Sequence, residues 1–191
     1  MKTIKNIYCL FIFLGVCLTQ DILPLTQRYF HTEDMGYDYT RGTYLIVLGD
    51  ASLKSILEDE TTGNFIHFKK TQGYNVHVVN IEDIGIDRDY LKLYLENYYA
   101  TDPLLEYVLL VGDHDYTYSI PAFHVASYSY PEIDVTDHKY TYFDNDPLSP
   151  DFFIGRWSVR SENDLKKIKS RSIGYVTMNV PGTDPLFPID S

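Results

Sequence analysis

Two fully apolar runs, each followed by Gly-Asp, constrain the fold of this chain more than any other sequence feature. The first is Tyr44–Leu48, followed by Gly49-Asp50, and the second is Tyr107–Val111, followed by Gly112-Asp113. An uninterrupted apolar run of this length is typical of a strand that is buried on both faces, as in a parallel sheet. The two runs therefore predict a sheet that is covered by helices.

The segments between these runs carry helix and strand signals in alternation. Ala51–Lys70 is predicted to be partly helical, with an interruption near Thr61–Gly63 and a stop at Gly73. Tyr74–Asn80 is predicted to be a second strand. Asp87 is a suitable cap for a helix that runs to Tyr99, because apolar residues recur along it at helical spacing.

The same alternation continues after a long segment, Asp115–Pro150. Phe152–Gly155 is predicted to be a short strand, and Ser161–Asp164 is a capping box that opens a helix. We expect the inward side of this helix to carry Leu165, Ile168, Ser172 and Tyr175. Alternating strands and helices predict right-handed βαβ units, so the fold class is α/β with a mostly parallel sheet flanked by helices.

Ligands of such sheets gather at the carboxyl ends of the strands. In this sequence those ends are Gly49-Asp50, Asn80 and Gly112–Asp115. His114 lies between two aspartates, where it could be a base or a metal ligand. A metal-dependent hydrolase that uses His114 is one functional hypothesis.

The first twenty residues, MKTIKNIYCLFIFLGVCLTQ, have the pattern of a signal peptide. Two lysines precede an apolar run, Ile7–Leu18, that is too short to span a bilayer comfortably. We therefore expect residues 1–20 to be removed and residues 21–41 to be a lead-in or linker. The mature chain would be secreted, or at the cell surface or in the periplasm, without membrane contact. An uncleaved membrane anchor is the alternative.

The cysteines and the net charge exclude several functions. Both cysteines, Cys9 and Cys17, lie in the predicted signal peptide, so the mature chain would contain no thiol and no disulfide. A cysteine nucleophile could then not come from this chain. The formal net charge of −11 argues against nucleic acid as a partner, since binding phosphate backbones needs a cationic surface.

The long acidic segment is a candidate cation site. Asp137, Asp144, Asp146 and Asp151 offer the oxygen ligands that Ca²⁺ prefers, although their spacing matches no defined calcium loop. A solvated acidic loop whose aspartates form turns is the alternative. Arg156 is expected to form a buried structural ion pair with a carboxylate from this segment.

Several stretches, in this order, together resemble the gingipain-type cysteine peptidase domain. They are Tyr44–Leu48, His67–Val79, Tyr107–Asp113, Ile120–Ala122, Thr136–Tyr140, Pro150–Arg156 and Ser158–Leu165. The resemblance implies a caspase-like, Rossmann-like three-layer fold. It assigns residues 42–180 to the N-terminal α/β subdomain of an incomplete domain. Residues 181–191 would be a tail at the start of a missing second subdomain.

The resemblance also implies a function and its limit. In that family the catalytic histidine, usually in a His-Gly pair, and the catalytic cysteine lie in the second subdomain. Neither is in this chain, so no catalytic residue is assigned. The expectation is a truncated part of a secreted cysteine endopeptidase that is inactive alone. Its partners would be the missing catalytic subdomain or a protein or peptide substrate.

Two further expectations remain open. The alternative function is a non-enzymatic exported α/β binding module that calcium stabilises; otherwise no cofactor is required. If a second subdomain normally packs against this sheet, one sheet edge is left open, and self-association is expected.

Overall fold

The computed structural model describes residues 41–127, 131–143 and 148–177. The predicted signal peptide, nearly all of the lead-in, the tail 181–191, Asp144 and Asp146 lie outside the described residues. In chain order the elements are β1 (Thr43–Leu48), α1 (Leu53–Glu58), a 3₁₀ turn (Glu60–Thr62), α2 (Phe65–Thr71), β2 (Asn75–Asn80), α3 (Ile81–Ile84), α4 (Arg88–Thr101), β3 (Leu105–Val111), β4 (Phe123–Ala126), β5 (Ile133–Thr136), a second 3₁₀ turn (His138–Tyr140), β6 (Phe153–Trp157) and α5 (Glu162–Val176).

Four of the strands form one parallel sheet in the order β2-β1-β3-β6. The two apolar runs are its central strands, and every residue of β1 is buried. The predicted fold class, an α/β fold with a mostly parallel sheet flanked by helices, is confirmed. Burial on both faces is the reason that the two runs contain no polar residue.

The core has two layers, one on each face of the sheet. Ile46 and Leu48 face the layer formed with α1, α2 and α5. Leu45 and Val47 face the layer formed with α3, α4 and part of the segment between β3 and β6, including Tyr140. Successive β1 residues thus enter opposite layers, as the two-residue period of a strand requires.

The predicted helix starts at Asp87 and Ser161 and the predicted stop at Gly73 are confirmed, whereas the helix predicted to end at Tyr99 continues to Thr101. The side chain of Asp87 accepts a hydrogen bond from the N–H of Asp89, and that of Ser161 accepts one from Asp164. Gly73 follows α2 with φ +90°, a backbone conformation that residues other than glycine rarely adopt. These signals are local in sequence, so they could be identified without the structure.

Two features differ from the prediction. Tyr175 is 80% exposed, whereas Lys169, which the sequence did not place inward, is fully buried in α5. The Lys169 ammonium donates to the carbonyls of Ile56, at 2.6 Å, and Asp59, at 3.1 Å, beyond the end of α1. The long segment after β3 also contains an antiparallel hairpin, formed by β4 and β5, that was not predicted.

Candidate functional site

The carboxyl ends of three strands meet at one edge of the sheet, as predicted. Leu48 at the end of β1 is level with Asn80 of β2 and Val111 of β3. The N–H of Gly49 donates to the carbonyl of Val111 at 2.9 Å, so the two Gly-Asp pairs begin side by side. This carboxyl-end edge is where parallel sheets place their binding groups.

The loop that follows β3 packs tightly against this edge. Its return is fixed by a bridge between Asp113 and Ser119 and by a 2.7 Å hydrogen bond from the N–H of Ile120 to the carbonyl of Asp113. A Cβ atom on Gly49 or Gly112 would lie only 2.4 or 2.2 Å from the carbonyl oxygen of Tyr118. Both glycines are therefore needed for the close approach of this backbone.

Asp113 organises the polar groups of the loop. Its side chain is nearly buried, and its Oδ2 accepts a hydrogen bond from Nε of Arg160 at 2.7 Å. Its Oδ1 accepts from the backbone N–H of His114 at 2.8 Å and lies 3.1 Å from Nδ1 of the same histidine. The other ring nitrogen of His114 is 3.7 Å from Asp115, so the imidazole lies between two carboxylates.

These contacts determine the charge of Asp113. Burial alone would raise the pKa of its carboxyl, but the hydrogen bonds from Arg160 and His114 outweigh burial and lower the pKa. The hydrogen bond to Asp113 also raises the pKa of Arg160. The pair is consequently ionised at neutral pH, and its two opposite charges are in direct contact.

Tyr116 has an unusual backbone conformation at the tip of the same loop. Its φ of +70° is the only positive value among the described residues other than glycine. The guanidinium carbon of Arg160 lies 4.0 Å from the centre of its ring, which is itself 60% exposed. Positive φ in a tyrosine costs energy, and such strain concentrates at functional sites.

Arg156 fixes the base of the loop. Its Nε and one terminal nitrogen donate to the two oxygens of Asp137 at 2.8 and 2.7 Å. Its remaining donors reach the carbonyls of Gly112, Ile120 and Pro121. The prediction that Arg156 forms a structural ion pair with a carboxylate from the acidic segment is confirmed.

The predicted calcium ligands have different surroundings. Both oxygens of Asp137 bind the guanidinium of Arg156. Asp151 accepts a hydrogen bond from the N–H of Phe143 at 3.1 Å. Asp144 and Asp146 lie outside the described residues, so the calcium site stays a prediction. Asp137 could contribute only by sharing its oxygens with Arg156.

Asp113, His114 and Asp115 are the described residues whose ligand atoms are grouped closely enough for a metal ion, within 4.8 Å of one another. One oxygen of Asp113 already binds Arg160, and that positive charge would lie beside any cation held there. The arrangement suits an ion-pair network that orders the loop better than a metal centre.

The sequence indicated Asp113 and His114 but not Arg160 or Tyr116. Arg160 follows β6, far along the chain, and only the adjacency of β3 and β6 brings it to Asp113. A positive φ in tyrosine has no sequence signature, so only the structure could reveal it.

Comparison with known proteins identifies the family. The family model of peptidase family C25 matches residues 37–184. The chain belongs to peptidase family C25. None of the curated proteins that were compared matches it.

Solved structures agree with this C25 assignment. A complex of the pro- and mature domains of RgpB from Porphyromonas gingivalis is 26% identical, with a TM-score of 0.58 over 70% of this chain. The Arg-specific cysteine proteinase gingipain R (RgpB) is 28% identical, with a TM-score of 0.54 over 74%. A third structure, described as a protease, shares the fold at 21% identity, with a TM-score of 0.58 over 78% of this chain. The C25 chain spans only 29% of each RgpB chain and 31% of the third.

Proposed function

We propose that this chain is the N-terminal, non-catalytic part of a secreted gingipain-like cysteine endopeptidase and that it does not cleave peptides alone. The observation that carries the proposal is the position of the thiols. The C25 match covers residues 37–184, whereas the two cysteines of the chain are Cys9 and Cys17. A cysteine peptidase needs a thiolate beside a histidine, and these residues supply no thiol.

In this proposal the described residues form a scaffold for the catalytic half. The loop after β3 is held by hydrogen bonds from Arg156 to the carbonyl of Ile120 and from Arg160 to the carboxylate of Asp113. Such a rigid, charged edge can support a neighbouring catalytic subdomain or the substrate that it binds. The partner is therefore expected to be that subdomain, or a protein or peptide substrate.

A peptidase assay on the purified chain tests this proposal. We use casein and an arginyl peptide, because the relative RgpB is Arg-specific. We expect no turnover above a mock preparation from cells that lack the gene. A Cys9→Ser/Cys17→Ser variant is the matched control. Turnover that the double variant loses would place the nucleophile at the N-terminus, and turnover that it keeps would show another mechanism. Either result contradicts the proposal.

The DNA downstream of the Ser191 codon gives a second test. We expect a continuation, in frame or in a shifted frame, that encodes a His-Gly pair and then a cysteine after an apolar strand. Unrelated DNA there would favour the alternative function instead.

Export is part of the proposal and rests on residues 1–20. Among the residues that the structure describes, no helix is both long and apolar enough to cross a bilayer. We expect the secreted form to begin near Asp21, as mass spectrometry of its N-terminus would show. Changing Lys2 and Lys5 to glutamate should reduce export. An intact N-terminus on exported protein would indicate an anchor.

The hairpin of β4 and β5 favours the alternative, a non-enzymatic exported binding module. One face of this hairpin presents His124, Ala126, Ile133 and Val135, all exposed, with Ile133 at 67%. Exposed apolar side chains that lie together mark interaction surfaces. This module would keep the scaffold for binding and, in its calcium-dependent form, would be stabilised by Ca²⁺.

A further inference from the structure

The outer strand β6 has a vacant position that nothing in the described residues explains. A Cβ atom built on Gly155 would meet no atom within 4 Å, and Gly155 is exposed. Its φ lies outside the left-handed range, so conformation does not require glycine. Glycine in a strand often marks a place where another chain approaches closely.

Bulky aromatic rings lie on both sides of this position. Phe153, Gly155 and Trp157 alternate with their neighbours and so share one face of β6. The Phe153 ring stacks on Tyr107 at 5.4 Å, yet 62% of its surface is exposed. Trp157 packs on Phe65 at 4.7 Å. The strand therefore presents a projecting ring and, two residues later, an open space over Gly155, here called the slot.

The backbone of β6 can also accept another strand. β6 is at the end of the sheet order, and no described strand pairs with its outer side. The carbonyl of Trp157 accepts from the N–H of Gly112 in the turn after β3. Because backbone groups alternate in direction along a strand, those of Ile154 and Arg156 point outward. An open edge of this kind pairs readily with a second chain.

We propose that two copies of this chain associate through antiparallel pairing of their β6 strands about a twofold axis at Ile154. In this register Ile154 forms a hydrogen-bonded pair with Ile154 of the second copy. Phe153 then lies opposite Gly155 of the second copy in a pair without hydrogen bonds, where side chains come closest. The ring of each copy fills the slot of the other, and the two sheets become continuous.

The choice of a second copy follows from this self-complementarity. The ring and the slot are two residues apart on one strand, which is the spacing that a twofold axis at Ile154 brings face to face. No like charges are opposed within β6, because its one charged residue, Arg156, uses its donors internally. The overall charge of −11 opposes association at long range, so added salt should strengthen it.

Sedimentation velocity of the full chain, from micromolar to near-millimolar concentration, tests the proposal. We expect a monomer–dimer equilibrium for the wild type. Gly155→Val fills the slot and should weaken association by at least about tenfold, because the twofold axis makes the contact between Phe153 and position 155 occur twice in each dimer. The monomer should keep its unfolding midpoint, because a Cβ atom at this exposed position meets no other atom within 4 Å. Asn75→Val, on the opposite edge strand β2, is the matched control and should associate as the wild type does.

Hydrogen exchange gives an independent readout of the register. The amides of Ile154 and Arg156 should be protected at high concentration in the wild type and should lose that protection in Gly155→Val. A chain that stays monomeric at every concentration overturns the proposal. So does association that Gly155→Val leaves intact, or that Asn75→Val weakens equally. The proposal is independent of peptidase activity, so the assay for inactivity and this test can fail separately.

Discussion

The guanidinium of Arg156 uses all five of its N–H groups inside the protein. Two bind the carboxylate of Asp137, and three bind backbone carbonyls between residues 112 and 121. A side chain with every donor in use cannot bind a ligand without losing an internal bond. Arg156 is therefore a positioning residue that holds the loop of Asp113 in place.

Lysine cannot replace Arg156, because an ammonium lacks the planar fork that meets both oxygens of a carboxylate. We expect Arg156→Lys to lower the free energy of unfolding by about 2–4 kcal/mol, since several buried acceptors lose their donors. Urea denaturation measures this loss. Arg160→Lys, at an exposed residue with one such bond, is the control and should lose less. Equal losses would contradict the assigned role of Arg156.

The stability of the molecule should depend on Asp113 at acid pH. The pKa of its carboxyl is lowered in the folded state, so the unfolded chain binds a proton more readily. This contribution is complete above the unfolded pKa of about 4 and is lost as pH falls through the folded value. Urea midpoints measured between about pH 6 and pH 2 should fall, and Asp113→Asn should flatten the profile. An unchanged slope would show that Asp113 titrates alike in both states.

At the scale of elements, the buried ammonium of Lys169 joins α5 to the end of α1. Its two carbonyl acceptors, on Ile56 and Asp59, would be left without this donor in Lys169→Met. We expect a loss of about 1–3 kcal/mol in the free energy of unfolding. Lys167→Met, on the exposed side of α5, should have little effect on the urea midpoint. Similar midpoints for the two variants would show that the hydrogen bonds of Lys169 to the end of α1 do not stabilise the fold.

The turns after β1 and β3 depend on glycine through steric contact. Gly112→Ala would place a methyl group 2.2 Å from the carbonyl oxygen of Tyr118, so the loop must shift. We expect a loss of about 1–3 kcal/mol, comparable with overpacking in a core. Gly155→Ala meets no neighbour and serves as the control. Thermal unfolding distinguishes the two, and a stable Gly112→Ala variant would show that the loop yields easily.

The elements that the sequence predicted are those with local signals. β1 and β3 are continuous apolar runs, and the caps at Asp87 and Ser161 lie next to the helices that they begin. The prediction of the inward side of α5 was partly wrong, because the end of α1 provides carbonyl acceptors that make burial of the Lys169 ammonium favourable. The β4–β5 hairpin is only partly buried, through Phe123 and its neighbours, and its strands of four residues each are too short to give a clear alternation.

At the scale of the whole molecule, the sequence located the carboxyl-end edge of the sheet, where the candidate site lies, but not the ion pair of Asp113 with Arg160. Parallel strands imply that Gly49-Asp50 and Gly112-Asp113 meet, and they do. The pairing of Asp113 with Arg160 depends on β6 lying beside β3. Spatial neighbours of this kind follow from strand order, which periodicity alone does not determine.

Calcium should act on the whole domain if the acidic segment binds it. We expect millimolar Ca²⁺ to raise the melting temperature, because a ligand that binds only the folded state stabilises it against unfolding. Mg²⁺ should raise the melting temperature less, because it gives up its water ligands reluctantly and demands stricter geometry. Asp144→Asn/Asp146→Asn should abolish the shift. Asp134→Asn/Glu132→Gln, with the same change of charge, is the control. No shift in the wild type would contradict the calcium site and the calcium-stabilised module with it.

The strand order β2-β1-β3-β6 limits how early during synthesis the sheet can fold. Among the described residues, the first strand, β1, lies in the interior of the sheet, and its neighbour β3 follows only after two crossover connections. The central pairing of β1 with β3 cannot be completed until the chain has been synthesised as far as Val111. If residues 1–20 are the signal peptide proposed above, the export machinery would meet them while the sheet that follows is still unfolded.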